Sequence, residues 1–313
     1  MKLNKPKFWN KENSFFSFFF IPFTFVVLII IYLKKKFTKK INFNIPIICI
    51  GNIYVGGTGK TPSAIKIAEE LALHGKNPTI IRKFYKEHKD EHFLIKKKFK
   101  NLILTKDRIS GINKAIKQNF DSVILDDGFQ DYKIAKDISI LCFNQKQLVG
   151  NGFVFPSGPL RESLNALKHA HIILINGRKD IHFEKRILTI NKNLSIFYSN
   201  YNPINLNEFK NKKLLAFAGI GNPENFFDLL SKKGLNVEKT FSFPDHYQFN
   251  DSEILKILKI ARDNKFQIIT TEKDYLRIKN LYLNEIKYIR LSLEIESKKK
   301  FLEKILSLYD KNN

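Results

Sequence analysis

The segment GNIYVGGTGKTP at residues 51–62 constrains this 313-residue chain more than any other. It follows a short β-branched apolar run, IPIICI at 45–50, and precedes a helical pattern over 62–73 that ends at Gly75. Strand, Gly-rich loop and helix in that order are the context a phosphate-binding P-loop requires. Glycines let backbone N–H groups turn inward around phosphate oxygens, Lys60 offers an ammonium to the β and γ phosphates, and Thr61 can set its hydroxyl on Mg²⁺. The nucleotide-binding residues read from this spacing are Gly56, Gly57, Thr58, Gly59, Lys60 and Thr61. Tyr54 stands five residues before Gly59, where the first Gly of the motif is usual. Gly56 and Gly57 are expected to supply the missing flexibility.

The remaining pattern sets the fold class. Residues 78–81, 102–104, 122–125, 138–143 and 172–175 read as strands, with a helix at 108–117. Such alternation predicts an α/β, P-loop NTPase-like, doubly wound, mostly parallel sheet. A polar, Asn-rich stretch at 195–207 reads as a domain boundary. Beyond it, apolar runs at 214–220, 266–270 and 288–293 and a helix at 223–233 predict a second, smaller α/β domain. The expected division is 1–40 for an N-terminal hydrophobic helix with basic flanks, 41–197 for the P-loop domain and 198–313 for the smaller one.

Residues 15–33, FFSFFFIPFTFVVLIIIYL, carry no charge, and Lys34, Lys35, Lys36, Lys39 and Lys40 follow closely. A helix of this length approaches the thickness of a bilayer core, about 30 Å. With no small-residue cleavage site after it, a membrane-embedded helix is favoured over a signal peptide or a core helix. Pro22 offers the alternative of a bent, interfacial anchor. The basic cluster places the rest of the chain on the cytoplasmic side.

Formal net charge is +24, which points toward nucleic acid, anionic lipid or a phosphorylated substrate. Only eight of the 54 basic residues are Arg, the residue bidentate phosphate and base readers favour. A Lys-rich solvated surface therefore explains the charge as well as an anionic partner does. No helicase-type Arg motif is present, and nucleic acid is not expected as a partner. Two cysteines, Cys49 and Cys142, without metal-ligand spacing exclude a disulfide scaffold and a structural zinc site.

Other segments carry weaker signals. SVILDDGFQD at 122–131 is an apolar strand ending in two carboxylates, where a Mg²⁺-coordinating Asp belongs, so Asp126 or Asp127 is the expected metal partner. NGFVFPSGPLRES at 151–163 holds Arg161 and Glu162 and by itself is a loop ending in a helix cap. GIGNPENF at 219–226 and TTEKD at 270–274 read the same way. A lone His between aromatics, like His246 in FPDHYQF, is more often structural than catalytic unless a carboxylate partners it.

Taken together and in order, GNIYVGGTGKTP, DDGFQ, NGFVFPSGPLRES, FAGIGNPENFF, FPDHYQF and TTEKDYLRI resemble the tetraacyldisaccharide 4′-kinases of lipid A synthesis, over about residues 45–277. The resemblance implies ATP- and Mg²⁺-dependent phosphorylation of the 4′-hydroxyl of a lipid A disaccharide 1-phosphate, giving lipid IVA, at the cytoplasmic face of the inner membrane. The altered start of the P-loop suits the family. By the same resemblance Asp90, in KDEHFLI at 89–95, would pair with His246 as a proton-accepting dyad beside Lys60. Thr61, Asp126, Asp127 and Glu162 would hold the metal, and Arg161 is a candidate transition-state cation.

The chain also departs from the family pattern. An Arg-Gly-Tyr-Gly segment appears as RKFYK at 82–86, keeping Arg82 and Tyr85. Lys89 and His92 replace a Gly and a Pro around Asp90, and Asp131 replaces a His. These changes gather on the acceptor side. They leave open two other classes, a membrane-anchored P-loop NTPase acting on another substrate and a nucleotide-binding module without transfer activity. Oligomeric state is not legible.

Overall fold

The computed structural model describes residues 6–11, 14–85, 89–245 and 247–310, with backbone only at 89 and 90. The apolar N-terminal run forms two helices, α1 (Phe15–Phe19) and α2 (Ile21–Phe37). The break falls at Phe20, and Pro22 sits in the first turn of α2, where its missing N–H costs no intrahelical bond. The two polar residues of the run decide how it docks. Ser17 and Thr24 are buried, whereas Phe15, Phe19, Phe25 and Tyr32 are exposed. Asn151 Nδ2 donates to Ser17 Oγ at 2.9 Å, and Thr24 Oγ1 donates to Val154 O at 3.1 Å and accepts from Ser157 N at 3.1 Å. The helices dock through these two hydroxyls together with Val27, Leu28 and the edge of Phe18, while most of their phenyl rings are exposed. The continuous span expected over 15–33 is therefore not formed. Among the described residues no helix is long and apolar enough to cross a membrane.

From there the chain alternates as its pattern requires. It runs through β1 (Ile47–Gly51), α3 (Lys60–Leu73), β2 (Pro78–Lys83), α4 (Lys89–Lys98), β3 (Leu102–Thr105), α5 (Arg108–Lys117), β4 (Ser122–Asp126), β5 (Ile138–Asn144), β6 (Ile172–Asn176), α6 (Ile181–Ile190) and β7 (Ser195–Pro203). After β8 (Lys213–Ala218), α7 (Pro223–Lys232), β9 (Asn236–Ser242), α8 (Asp251–Asp263), β10 (Gln267–Thr271), α9 (Glu272–Tyr275) and β11 (Ile286–Ile289), it closes with β12 (Leu291–Ile295) and α10 (Lys298–Asp310).

An eight-stranded sheet has the order β12-β7-β6-β5-β1-β4-β2-β3, and a four-stranded sheet the order β11-β10-β8-β9. The ladders from β3 to β7 are parallel, and so are those of the smaller sheet. Strands covered on both faces read as unbroken apolar runs, and β1 and β4 are buried at every position. Sequence order reverses about β1, which lies between β4 and β5. That switch point puts the loop after β1 and the end of β4 together at the carboxyl edge, where open α/β sheets bind ligands.

The chain divides into two compact units. One comprises Lys5–Phe84, Lys98–Asn200 and Leu293–Asn313, and the other includes Tyr85–Lys97 and Tyr201–Ser292. This differs from a contiguous division at 197/198 in two places. The segment bearing α4 groups with the smaller sheet, and the C-terminus returns to the larger one. The return has clear causes: Glu296 N donates to Tyr198 O at 2.9 Å, Phe301 packs edge-on against Phe197, and Lys298 pairs with the buried Glu70 at 2.7 Å. The Asn-rich stretch at 195–207 holds the division at Asn200/Tyr201, as expected, although most of it is strand β7 rather than a loop. The single run expected at 288–293 is two strands, one in each sheet.

Candidate active site

The loop after β1 is built by Asn52, a residue the motif does not mention. Its fully buried Nδ2 donates to Tyr54 O at 2.5 Å, Gly56 O at 3.2 Å and Thr58 Oγ1 at 3.0 Å, which draws the loop around its amide. The Thr58 side chain thus faces inward as part of the scaffold. Gly56 (φ 120°) and Gly59 (φ 88°) take left-handed backbone that a side chain disfavours. Val55 N donates to Pro159 O at 2.8 Å and Arg161 N to Ile53 O at 2.6 Å, so residues 159–161 strap the loop from outside. Gly59 caps α3 without a side-chain bond to its first turn. The orphan N–H groups of that turn remain for an anion, and a Cβ at Gly57 would meet nothing within 4 Å. This cradle fits the phosphates of a nucleotide.

The two carboxylates at the end of β4 face different partners. Lys60 Nζ lies 3.6 Å from Asp127 Oδ1, and Arg161 Nη1 donates to the same oxygen at 2.9 Å. Burial works to raise the Asp127 carboxyl, but Lys60 and Arg161 outweigh it and hold it below the ordinary carboxylate value. Burial pushes the Lys60 ammonium below its ordinary value, against the pull of Asp127. Asp126 is fully buried. Thr61 Oγ1 donates to its Oδ2 at 3.0 Å, and Arg82 Nη1 pairs with that oxygen and donates to Thr61 Oγ1 at 2.8 Å. Buried Arg108 fixes the turn by donating from Nη2 to Asp126 O at 3.1 Å and Asp127 O at 2.7 Å. Its other neighbour at 3.5 Å is Asp131, the residue that departs from the family's His.

Thr61 and Asp126 are the donors that fit a divalent cation. Asp126 Oδ1 is buried with no hydrogen-bond partner, and Mg²⁺ commonly takes one or two protein oxygens and completes its shell with water and phosphate. The fourfold set expected from sequence is not gathered. Asp127 is taken by Lys60 and Arg161, and Glu162 points into a pair with Lys35 of α2 at 2.6 Å. Among the described residues no group of three or more His, Cys, Asp or Glu is placed to hold a metal.

Asp90 stands in the first turn of α4, but its side chain and the whole of His246 lie outside the described residues. Their chain neighbours are described. Lys273 Nζ lies 2.7 Å from Glu91 Oε1 and 3.7 Å from Asp245 Oδ1. In the same unit the GIG and TTEKD segments interlock, because Asp274 Oδ2 accepts from Gly219 N at 3.0 Å and from Thr271 Oγ1 at 2.6 Å. These two motifs build a turn. Sequence reasoning passed over Asn52 and Arg108; the signal for Asn52 was a polar residue directly abutting an apolar strand, and Arg108, in the first turn of a helix, carried none.

A parallel sheet with a phosphate cradle and paired carboxylates at its switch point defines a P-loop nucleotide-binding protein of the α/β class. The sequence profile of the tetraacyldisaccharide-1-P 4′-kinases matches residues 16–310, and the chain belongs to that family. It is 42% identical to a tetraacyldisaccharide 4′-kinase of Pelagibacter ubique (strain HTCC1062) over 100% of both chains. It is 32% identical to one of Rickettsia canadensis (strain McKiel), covering 97% of each. The crystal structure of LpxK from Aquifex aeolicus in complex with ATP superposes with a TM-score of 0.72 at 23% identity, covering 93% of this chain and 98% of that one. At that identity the likeness establishes the α/β fold.

Proposed function

We infer that this chain transfers the γ-phosphoryl group of ATP to the 4′-hydroxyl of a tetraacyldisaccharide 1-phosphate, the lipid A precursor, giving lipid IVA. The observation that carries the reading is the convergence of Lys60, Arg161 and the Thr61–Asp126 pair on an open phosphate cradle in a member of this family. The loop amides and the first turn of α3 bind the phosphates. Lys60 neutralises charge that develops on the transferred group, and Arg161, held beside it by Asp127, is the second cation. Thr61 and Asp126 would hold Mg²⁺, which supplies further neutralisation at the phosphate oxygens.

Asp90 and His246 are the proposed proton acceptors for the sugar hydroxyl. Support comes from Glu91 and Asp245, the residues next to them, which both reach Lys273. The exposed phenyl face of α1 and α2, with Lys34, Lys35 and Lys36 in the last turn of α2, supports an interfacial anchor on the inner membrane with both units in the cytoplasm. Co-sedimentation with lipid vesicles tests the anchor, and a chain that stays in the supernatant would contradict it.

The deciding experiment is ATP-dependent phosphorylation of the lipid disaccharide monophosphate by membranes of expressing cells. Lys60→Ala should lower turnover by about a hundredfold or more, the scale of a preorganised charge; near-normal turnover would remove Lys60 from its role. Nucleic-acid-stimulated ATP hydrolysis without lipid product would point to the other enzyme class. In the same assay Asp90→Ala and His246→Ala should each reduce turnover, with the double variant little worse than either. Fully multiplicative losses would mean that the two act separately.

A further inference from the structure

Arg82 is the last but one residue of β2, one position beyond the register pair of Ile81 with Leu125 on β4. That position brings its guanidinium against Asp126. A single nitrogen, Nη1, pairs with Asp126 Oδ2 and lies 2.8 Å from Thr61 Oγ1. Thr61 and the Asp126 carboxylate are also the donors that fit a divalent cation, Oδ1 being the carboxylate oxygen without a hydrogen-bond partner. A metal held by that hydroxyl and that carboxylate would share both groups with the guanidinium. Two cations on one hydroxyl and one buried carboxylate repel strongly. Only one of them can hold the position.

We propose that Arg82 is the resident cation of the metal position: it holds the Thr61–Asp126 pair in the nucleotide-free protein and moves onto nucleotide phosphate when the metal enters. The proposal rests on the kinase reading given above. Charge gives the order of events. Lys60, Arg82, Arg108 and Arg161 gather around three carboxylates, Asp126, Asp127 and Asp131. Without phosphates the site already carries excess positive charge, so a metal gains little by entering. Nucleotide phosphates reverse that balance and give the guanidinium a planar, bidentate partner that suits it better than a shared carboxylate oxygen. The backbone of β2 is fixed in the sheet, so only the side chain has to move. Metal entry thereby becomes dependent on nucleotide, and Arg82 is a positioning residue for the phosphates.

The test is Mn²⁺ binding by the full chain, read from the EPR signal of free Mn²⁺, with and without ATP. The wild type should bind Mn²⁺ weakly alone and tightly with ATP. Arg82→Met should bind Mn²⁺ without nucleotide at least about tenfold more tightly than wild type, since a like charge has left the site. It should also show a raised KM for ATP. Arg82→Lys should keep the exclusion and recover part of the KM, and adding Asp126→Asn to Arg82→Met should abolish the gain. Arg82→Gln, which keeps a polar group against Thr61, serves if the Met variant does not fold. Nucleotide-free Mn²⁺ affinity unchanged in a folded neutral variant overturns the proposal. Failure of the wild type to bind Mn²⁺ even with ATP would instead count against the kinase reading.

Discussion

Two buried aspartates, each at the end of a parallel strand and each beside an arginine, show how this chain separates function from structure. Asp274, in α9 directly after β10, has its oxygens used by its own unit. Oδ2 accepts from Gly219 N and Thr271 Oγ1, and Oδ1 from Arg277 Nη1 at 3.0 Å. Asp126, at the end of β4, has Oδ2 shared between Thr61 and Arg82 and Oδ1 buried without a partner. An unsatisfied buried carboxylate oxygen is costly. A fold keeps one only where something else completes it. The saturated carboxylate is a rivet between the GIG and TTEKD turns, and the incomplete one is a ligand.

Asp274→Asn should have the largest effect on stability. Arg277 is 2% exposed and would lose the carboxylate it pairs with at 3.0 Å, and breaking a buried ion pair costs about 3–5 kcal/mol. Thermal unfolding should show that loss as a lowered Tm, while turnover per folded molecule stays near wild type at low temperature. Asp126→Asn should do the reverse. Turnover should fall by about a hundredfold, roughly 2.7 kcal/mol of barrier. Its Tm should move less than that of Asp274→Asn, because the substitution also removes a charge whose second oxygen was never satisfied. Equal Tm losses in the two variants would erase the distinction between rivet and ligand.

The difference also explains what was legible in the sequence. The P-loop was readable because strand, glycines, Lys60 and Thr61 are local, and the strand ending in Asp126 and Asp127 was readable by its hydropathy. The partners of those carboxylates were not, because parallel pairing brings them from afar. Arg82 reaches Asp126 across 44 positions and Arg161 reaches Asp127 across 34. Glu162, adjacent to Arg161, shared its motif and was expected at the metal. Adjacency in a bend does not make two side chains share a direction, and Glu162 faces Lys35 instead. Hydropathy likewise announced an apolar N-terminus but not its orientation. Ser17 and Thr24, two hydroxyls in an otherwise apolar run, carried that information, because both are buried against the protein. The segment 89–98 showed no strong periodicity, so neither α4 nor its place with the smaller sheet was visible.

Asp127 offers the finest test, because it lies between the two cases: partnered like Asp274, yet on the ligand side and one-third exposed. Lys60 and Arg161 outweigh burial and hold its carboxyl below the ordinary value. The folded protein therefore binds fewer protons there than the unfolded chain does. Its contribution to stability is fully present above the unfolded carboxylate pKa, about 3.9, and is lost as pH falls through the lower folded value. The Tm difference between wild type and Asp127→Asn should be constant from neutral pH to about pH 5 and should close below about pH 4. A difference that persists undiminished in acid would mean that the pair with Lys60 and Arg161 does not stabilise the charged form. Asp127 would then belong with the incomplete ligands, and the metal position would extend from Asp126 to both carboxylates.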